Sequence, residues 1–230
     1  MSTTLNRNPL YTNQGNPTVL QFLNEGDRTI LDIGCGAGDL GELIRSIYTS
    51  VYITGITCSS AEYDQAARKL DYCIVMDIER NVPPLPDKKF DVLIFSHVLE
   101  HLVDPVETIQ KLLPFLKTGG KVIIALPNIA NWRDRWRLAL GKFEYTDGGV
   151  MDKTHLRFYT YHTAPRYLID PVPQLKLEVL TVRGSVPLAF FRHHFLHPRL
   201  RKKLDEWGCH YMPNLFSREI LMKAFKWCKN

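Results

Sequence analysis

The sequence TILDIGCGAG, residues 29–38, decides the fold class. It joins an apolar run of strand length to glycines at positions 34, 36 and 38, and apolar residues at helical spacing follow from position 40 to 47. Glycine permits a positive φ and lets a ligand approach the backbone, so this order predicts a ligand-binding α/β unit. Asp39 stands where a dinucleotide fingerprint has its third glycine, and Asp32 precedes the turn, which argues against a nicotinamide dinucleotide.

Further apolar runs of strand length alternate with segments of helical period. Ser59 and Glu62 form a capping box at the start of one helix, and Asp104 with Pro105 marks the start of another. Parallel strands need such crossover helices, so the alternation predicts an α/β fold with a Rossmann-like, seven-stranded, mostly parallel sheet and a small cap. We expect strands at residues 29–33, 51–56, 73–76, 91–95 and 122–126, and a closing pair at 175–182 and 219–226.

The composition fits one globular domain. The chain has 230 residues, 45% of them hydrophobic and 23% charged. We divide it into a core at residues 17–126, a cap at 127–170, and closing strands at 171–230 that contain a basic helical excursion at 184–213. The net charge of +5 is local, because residues 192–203 hold five Lys or Arg and no acid. No nucleic-acid partner is therefore expected.

Three features of the sequence bear on the cellular compartment: its apolar stretches, its first residues and its cysteines. No apolar stretch reaches the roughly 18 to 20 residues of a spanning helix, and residues 1–15 lack the regions of a secretory signal. The five cysteines form no C-x-x-C pair, which indicates reduced thiols rather than disulfides or a thiolate zinc site. We expect a cytoplasmic protein.

Several further motifs follow the glycine turn in a fixed order. They are Phe90-Asp91, VLEHL with Asp104-Pro105, Gly119-Gly120, LPN at 126–128 and DKTHLRF at 152–158. With the glycine turn, they make residues 9–226 resemble the class I S-adenosylmethionine (SAM) methyltransferases, and in particular a subgroup common in bacterial polysaccharide and secondary-metabolite gene clusters. Residues 127–137 also resemble the MetW proteins of methionine biosynthesis. The resemblance implies SAM as the cofactor.

The resemblance also implies which residues hold the cofactor. Asp32 would lie near its methionine end, and Asp77 would receive the adenine amino group. The family usually places an acid for the ribose hydroxyls after the second strand, but Thr57 stands there, and a neutral hydroxyl forms weaker hydrogen bonds. The full predicted cofactor set is Asp32, Gly34, Cys35, Gly36, Gly38, Thr57, Asp77, Ile78, Ser96 and His97.

Imidazoles and a carboxylate cluster after the fourth predicted strand. His97, Glu100 and His101 are spaced i, i+3 and i+4, so one helical turn would place them on one face at the ligand-binding edge of the sheet. His155 follows in the cap. An alcohol acceptor needs a base or a metal, which favours two catalytic roles for Glu100, His101 and His155. A third interpretation makes His97 and Glu100 lining of the cofactor pocket.

In the first role, His101 is a metal-free general base that His155 assists. In the second, His97, Glu100, His101 and His155 bind a divalent metal, as in the metal-assisted small-RNA 2′-O-methyltransferases and ubiquinone-type O-methyltransferases, which the motif resembles. Those enzymes have glutamate where this chain has His97, so we expect zinc or no metal rather than magnesium, and no metal more than either.

The acceptor is expected to be a small molecule, anionic or a nucleotide-linked sugar, bound by Arg133, Tyr145, Arg157 and Tyr159. Trp132 and Trp136 share one face of the cap helix, and we expect them to bury it. The sequence thus predicts O-methylation of a hydroxyl on a sugar or other polar small molecule. RNA 2′-O-methylation and a non-catalytic SAM-binding partner subunit stay as alternatives, and a homodimer is a further expectation.

Overall fold

A computed structural model of the chain describes residues 15–85, 89–187 and 197–227. Its strands are β1 (Thr29–Ile33), β2 (Tyr52–Thr57), β3 (Tyr72–Val75), β4 (Phe90–Ser96), β5 (Leu116–Pro127), β6 (Leu175–Gly184) and β7 (Ser217–Lys226). Its helices are α1 (Asp39–Ile47), α2 (Ser60–Lys69), α3 (Pro105–Leu112), α4 (Trp132–Ala139), α5 (Thr163–Leu168), α6 (Pro198–Tyr211) and α7 (Pro213–Phe216). Short 3-10 turns cover Pro17–Phe22, Leu99–His101 and Leu113–Phe115.

The predicted sheet is confirmed. Its seven strands run in the order β3-β2-β1-β4-β5-β7-β6, parallel from β3 to β5, while β7 pairs antiparallel with both β5 and β6. Strand β5 is longer than expected and includes Gly119 and Gly120, where its pairing with β4 slips between Phe90 and Val92. The strand order reverses between β1 and β4, which are neighbours in the sheet. The carboxyl ends of these two strands therefore lie side by side, at the usual ligand-binding edge of such sheets.

Helices cover both faces of the sheet, and β1 shows why. Successive strand residues point to opposite faces. Ile30 packs into the apolar cluster that contains Ile44 of α1 and Ala66 of α2, whereas Leu31 packs into the cluster that contains Ile109 of α3. With both faces buried, the strands read as continuous apolar runs, as observed.

The helix starts follow the sequence, with one exception. The Asp104 carboxylate accepts from the Glu107 amide at 2.9 Å, and Pro105 occupies the first turn of α3. Ser59 caps α2 by accepting from the Glu62 amide, but the reciprocal half of the predicted capping box is absent among the described residues. The Glu62 side chain instead turns to Thr57, at the end of β2.

The cap helix forms as α4, with Asn131 as its N-cap, but the expectation that its aromatic residues bury it is wrong. None of its residues is buried, and Trp136 is 63% exposed. Residues 127–131 and 150–159 carry the buried contacts of this region, since Asn128, Asn131 and Asp152 are enclosed while α4 projects outward.

Some predicted features fall partly beyond the described residues: the N-terminal segment 1–15, the proline-rich loop at 82–89, and the basic excursion at 184–213, within which α6 is seen. The division into core, cap and closing strands stays a prediction. Among the described helices, none combines the length and apolar composition that a bilayer crossing requires.

Gly38 offers a test of the turn geometry. It has φ +80°, and a Cβ there would lie 3.1 Å from Ala66 Cα of α2. We expect Gly38→Ala to lower the free energy of unfolding by about 2–4 kcal/mol, from left-handed strain plus overpacking. Gly141, at φ +71° with open space around it, is the matched control, and Gly141→Ala should cost only about 1–2 kcal/mol. Equal losses in urea unfolding would contradict the packing component.

Candidate active site

The glycine turn between β1 and α1 is fixed to the end of β2. Gly34 and Cys35 donate their amides to the Ile56 carbonyl at 2.8 and 2.9 Å. Gly34, Gly36 and Gly38 all have positive φ, between 54° and 80°. A Cβ at Gly34 would lie 2.3 Å from a methyl group of Val98. The turn is therefore held open by hydrogen bonds and by glycine, and a larger residue at Gly34 would displace the segment after β4.

Asp32 is a buried carboxylate beside this turn. It is 2% exposed, and its Oδ2 has no hydrogen-bond partner within the described chain. Burial raises the pKa of Asp32 from 3.8 to about 7. A buried polar oxygen without a donor is costly, so this position fits a ligand that brings a donor or a positive charge.

Thr57, the residue that departs from the family pattern, donates its hydroxyl to Glu62 Oε2 at 2.6 Å. Its Oγ1 also accepts from the Ser59 amide at 3.2 Å. Both Thr57 and Glu62 are buried. The end of β2 thus carries a carboxylate after all, supplied by the first turn of α2.

The other predicted cofactor residues lie along the same edge. The Asp77 carboxylate accepts from the Glu79 amide at 3.0 Å and faces Arg80 at 3.4 Å, so it organises its own turn, and Ile78 beside it is buried. Ser96 ends β4 and accepts from the Asn16 amide group at 3.3 Å. Their roles toward a cofactor stay predictions.

His97 has an unusual backbone and two acidic neighbours. It is the only described residue other than glycine with positive φ, at 56°. Its Nδ1 lies 3.3 Å from Glu100 Oε1, and its Nε2 lies 2.9 Å from Glu219 Oε1 of β7. Burial lowers the pKa of His97, but the two carboxylates outweigh that effect and raise the pKa to about 10. His97 is therefore an imidazolium at neutral pH and cannot accept a proton.

Glu100 lies beside His97 and has no solvent exposure. Neither of its carboxylate oxygens has a partner with hydrogen-bond geometry in the described residues. The backbone carbonyl of Glu100 accepts from the amides of Leu156 and Arg157 at 2.8 and 3.0 Å, which docks the cap loop onto the turn after β4. That turn is a single 3-10 turn, Leu99–His101, which leaves His97 outside it and corrects the expected helical face.

His101 and His155 meet edge to face, with ring centroids 4.7 Å apart. The His155 Nδ1 lies 3.0 Å from the Val150 carbonyl, and the His101 Nδ1 lies 3.3 Å from the Thr154 carbonyl. A carbonyl only accepts, so in the neutral form of each ring Nδ1 carries the proton and Nε2 the lone pair. Burial, the largest effect, lowers the pKa of His155 below 6.5, so it is neutral at pH 7.

The predicted metal set is reduced by this geometry. Glu100, His101 and His155 each offer one ligand atom, and these atoms lie within 4.8 Å of one another. His97 does not join them, because it is charged and held between the two glutamates. Nδ1 bonds to backbone carbonyls are the usual support of metal-binding histidines, so the three remaining residues fit a nitrogen-rich divalent ion. They equally fit a base with a carboxylate behind it.

The predicted acceptor residues are not all at this cluster. Arg157 donates to the Val103 carbonyl and so clamps the cap loop. Tyr159 is buried in the core, where burial and the Glu100 charge raise its pKa to about 12. Arg133 lies over the Trp132 ring, and Tyr145 stacks edgewise on Phe143 at the exposed surface of the cap. Their binding of an acceptor stays a prediction.

Four supporting residues of the site were not predicted from the sequence. Glu219 is 122 positions from His97. Asn16 and Thr18 donate to the two oxygens of Glu219 at 2.6 and 2.9 Å. Long-range pairing leaves no local spacing to detect. Thr154 belongs to the DKTHLRF motif, and its hydroxyl donates to the Asp152 carboxylate at 2.6 Å and lies 3.0 Å from Nδ1 of His101.

The family model described as methionine biosynthesis protein MetW matches residues 14–168. The chain belongs to the MetW family. Solved structures with the same fold include a SAM-dependent methyltransferase from Archaeoglobus fulgidus, with TM-score 0.60, 20% identity and coverage of 88% of this chain and 87% of that one. The plantazolicin methyltransferase BpumL, in complex with SAH, has TM-score 0.58, 19% identity and coverage of 92% and 80%.

Sequence relatives of this MetW-family protein include the ubiquinone biosynthesis O-methyltransferase of Idiomarina loihiensis, 27% identical over 184 residues that cover 74% of this chain and 72% of that enzyme. An uncharacterized protein in transposon TN4556 of Streptomyces fradiae is 30% identical over 102 residues, and the match spans only 30% of its length and 43% of this chain. These findings confirm the prediction of a class I SAM-dependent methyltransferase. The polysaccharide-cluster subgroup stays a prediction.

Asp32 gives a pH-dependent prediction. Its folded pKa is raised, so the cost of burying its charge is small near pH 4 and complete above about pH 7. We expect ligand-free Asp32→Asn protein to exceed the wild type in free energy of unfolding by about 2–3 kcal/mol more at pH 8 than at pH 5. Asp170→Asn, at an exposed position, is the control and should show no such difference. A pH-independent effect of Asp32→Asn would contradict the shifted pKa.

His97 gives the opposite pH dependence. Its folded pKa is raised to about 10, so its stabilising charge is present through neutral pH and is lost as the pH rises through that value. Replacing it leaves Glu100 and Glu219 without their shared cation. Since the His97 side chain is 43% exposed and solvent screens its charge, we expect His97→Ala to cost only about 1–2 kcal/mol at pH 7. In chemical unfolding the cost should shrink between pH 8 and pH 10.5. His162→Ala, at an exposed histidine, should cost little at either pH.

Proposed function

We propose that this MetW-family protein is a SAM-dependent O-methyltransferase that acts on a hydroxyl of a sugar or other polar small molecule. The observation that carries the proposal is the pair of imidazoles, His101 and His155, whose Nδ1 atoms face backbone carbonyls, so that Nε2 is the proton-accepting atom of each neutral ring, close to a buried carboxylate. The names of the ubiquinone O-methyltransferase relatives support oxygen as the methylated atom.

The residues near the glycine turn fit the cofactor. SAM carries an ammonium group, which would satisfy the donor-free oxygen of Asp32 and stabilise its charged form. The open φ-positive turn at Gly34 and Gly36 leaves the backbone approachable. When bound, SAM would supply a methyl group that is ready for in-line displacement, and the protein's task is to align the acceptor and to manage its proton.

His155 is the better base of the two histidines. Its pKa is lowered by burial, so the neutral form that accepts a proton dominates at pH 7. Glu100 lies 4.0 Å from its Nε2 and would stabilise the imidazolium that forms when the acceptor hydroxyl releases its proton. His101 packs edge-on to His155 and, with Thr154 behind it, fixes the position of the pair. This assignment exchanges the roles that we expected for the two histidines.

A metal-assisted mechanism is the second candidate, supported by the same three residues. Glu100, His101 and His155 would hold the ion, which would lower the pKa of the acceptor hydroxyl. The His97 imidazolium, 3.3 Å from Glu100, competes for the same carboxylate and disfavours a second positive charge. We therefore rank the metal-free base first.

The proposal also covers the class of acceptor, the cellular location and the oligomeric state. We propose an anionic or nucleotide-linked acceptor on the strength of the arginines of the cap, and a cytoplasmic location because Cys35, Cys73 and Cys209 form no disulfide among the described residues. A homodimer is also proposed. RNA 2′-O-methylation and a non-catalytic partner subunit are outcomes that the following experiment separates.

The test uses tritiated SAM with a panel of nucleotide sugars, free sugars, phenols and a short structured RNA. Once an acceptor is found, His155→Ala should lower kcat by about 100-fold or more, because a positioned base contributes that much, while S-adenosylhomocysteine (SAH) binding changes little. At saturating SAM, wild-type kcat should fall as the pH drops through a value below 6.5, where His155 becomes protonated.

His162→Ala is the control and should keep full activity. Dialysis against EDTA separates the two mechanisms: unchanged turnover supports the base, and loss that Zn²⁺ restores supports the metal. Transfer only to amines or carboxylates would contradict O-methylation, transfer only to RNA would favour the RNA alternative, and SAH binding without any turnover would favour a partner subunit.

A further inference from the structure

The end of β2 lacks an acid in the sequence. In Rossmann-like folds, an Asp or Glu about 20 residues beyond the glycine turn hydrogen-bonds the ribose of a bound nucleoside. Thr57 occupies that position here. Thr57 is 2% exposed and its hydroxyl already donates its proton to Glu62, so only acceptor capacity is left for a ligand. Thr57 by itself is a poor substitute for a carboxylate.

Glu62 brings a carboxylate to this place from a different element. It lies in the first turn of α2 and is 6% exposed. Oε2 accepts from Thr57 at 2.6 Å, and Oε1 lies 3.9 Å from the position that a Cβ would take on Gly36. Gly36 is in the middle of the glycine turn, where its missing side chain leaves space for a ligand. The carboxylate therefore borders that space.

The orientation of Glu62 is not explained by helix capping. A capping box would turn its side chain back to the Ser59 amide, but that amide donates to Thr57 instead. Thr57 thus satisfies the Ser59 amide and orients Glu62 with one hydroxyl group. Among the described residues, Thr57 is the one donor to the Glu62 side chain, which is few for a carboxylate so deeply buried.

A second line of evidence places Glu62 beside the turn. A hydrogen bond with Cys73 and burial raise the pKa of the Cys35 thiol, and the charges of Asp32 and Glu62 add to the shift. Cys35 is part of the glycine turn itself. Two buried carboxylates therefore flank the same turn, one from β1 and one from α2.

We infer that Glu62 takes the ribose hydroxyls of the nucleoside cofactor in place of the missing strand-end acid, and that Thr57 is the positioning residue that aims it. The inference rests on the proposed use of SAM. A vicinal diol presents two O–H donors, and the carboxylate has free lone pairs on both oxygens after the Thr57 bond, so bidentate pairing is available. The ribose hydroxyls would add two donors to a buried carboxylate that has one donor, Thr57, among the described residues.

The experiment measures binding calorimetrically with two probes, SAH and its 2′,3′-dideoxy analogue. Wild-type protein should bind SAH at least tenfold more tightly than the analogue, because the analogue lacks the hydroxyls that form the charge-assisted pair of hydrogen bonds. Glu62→Gln should weaken SAH binding by at least tenfold and reduce the preference for SAH over the analogue to below threefold. Thr57→Val should also reduce that preference, since it removes the hydroxyl that orients Glu62.

Glu42→Gln is the matched control, an exposed glutamate of α1 that pairs with Lys69 on the surface, and it should keep the wild-type preference. Thermal unfolding without ligand checks that each variant is folded, and the ratio of the two affinities is insensitive to a general loss of stability. Glu62→Gln protein that keeps the full preference would overturn the assignment of Glu62 alone. Equal binding of both probes by the wild type would overturn it as well, whereas a wild type that binds neither would overturn the proposed function and this assignment together.

Discussion

A carboxylate without solvent contact, Glu100, sets the charge and geometry of the candidate site. Its burial is costly unless positive or donor groups surround it, and the fold supplies His97 at 3.3 Å and His155 at 4.0 Å. The same residue anchors the cap loop through its backbone carbonyl. One position thus joins the turn after β4, the two histidines of the candidate site and the loop at residues 156–157, so we expect a change there to disturb all three.

The two ends of the proposed cofactor site share a second constraint. Asp32 and Glu62 are both buried carboxylates with fewer donors than their oxygens can accept, and they flank one glycine turn. The proposed cationic, hydroxyl-bearing ligand would supply donors to both carboxylates and would offset the cost of the unpartnered Asp32 oxygen. In such an arrangement affinity arises from relief of that cost as well as from new contacts. The raised pKa of Asp32 is the same effect in the ligand-free state.

Most of the fold was predictable from sequence because alternating strand and helix periods are local, and residues 29–38 fixed its class. The cluster of Glu100, His101 and His155 was also predictable, since DKTHLRF and VLEHL carry recognisable spacing. Three features were not. The charged state of His97 depends on Glu219, a distant partner. The outward projection of α4 was not predictable because its two tryptophans share one face, as in a buried helix, and yet none of its residues is buried. Glu62 matched a capping box equally well, and only the observed Thr57 contact removes that interpretation.

The insertion of β7 between β5 and β6 has a consequence for biosynthesis. Glu219 meets His97 and Asn16 only after the ribosome has translated a strand that follows the other six in the chain. A nascent chain that has completed β5 already holds His97 and Glu100 but lacks Glu219, the second carboxylate that His97 contacts. The contacts of His97 with both carboxylates can therefore form only when β7 completes the sheet between β5 and β6, two strands that precede it in the chain.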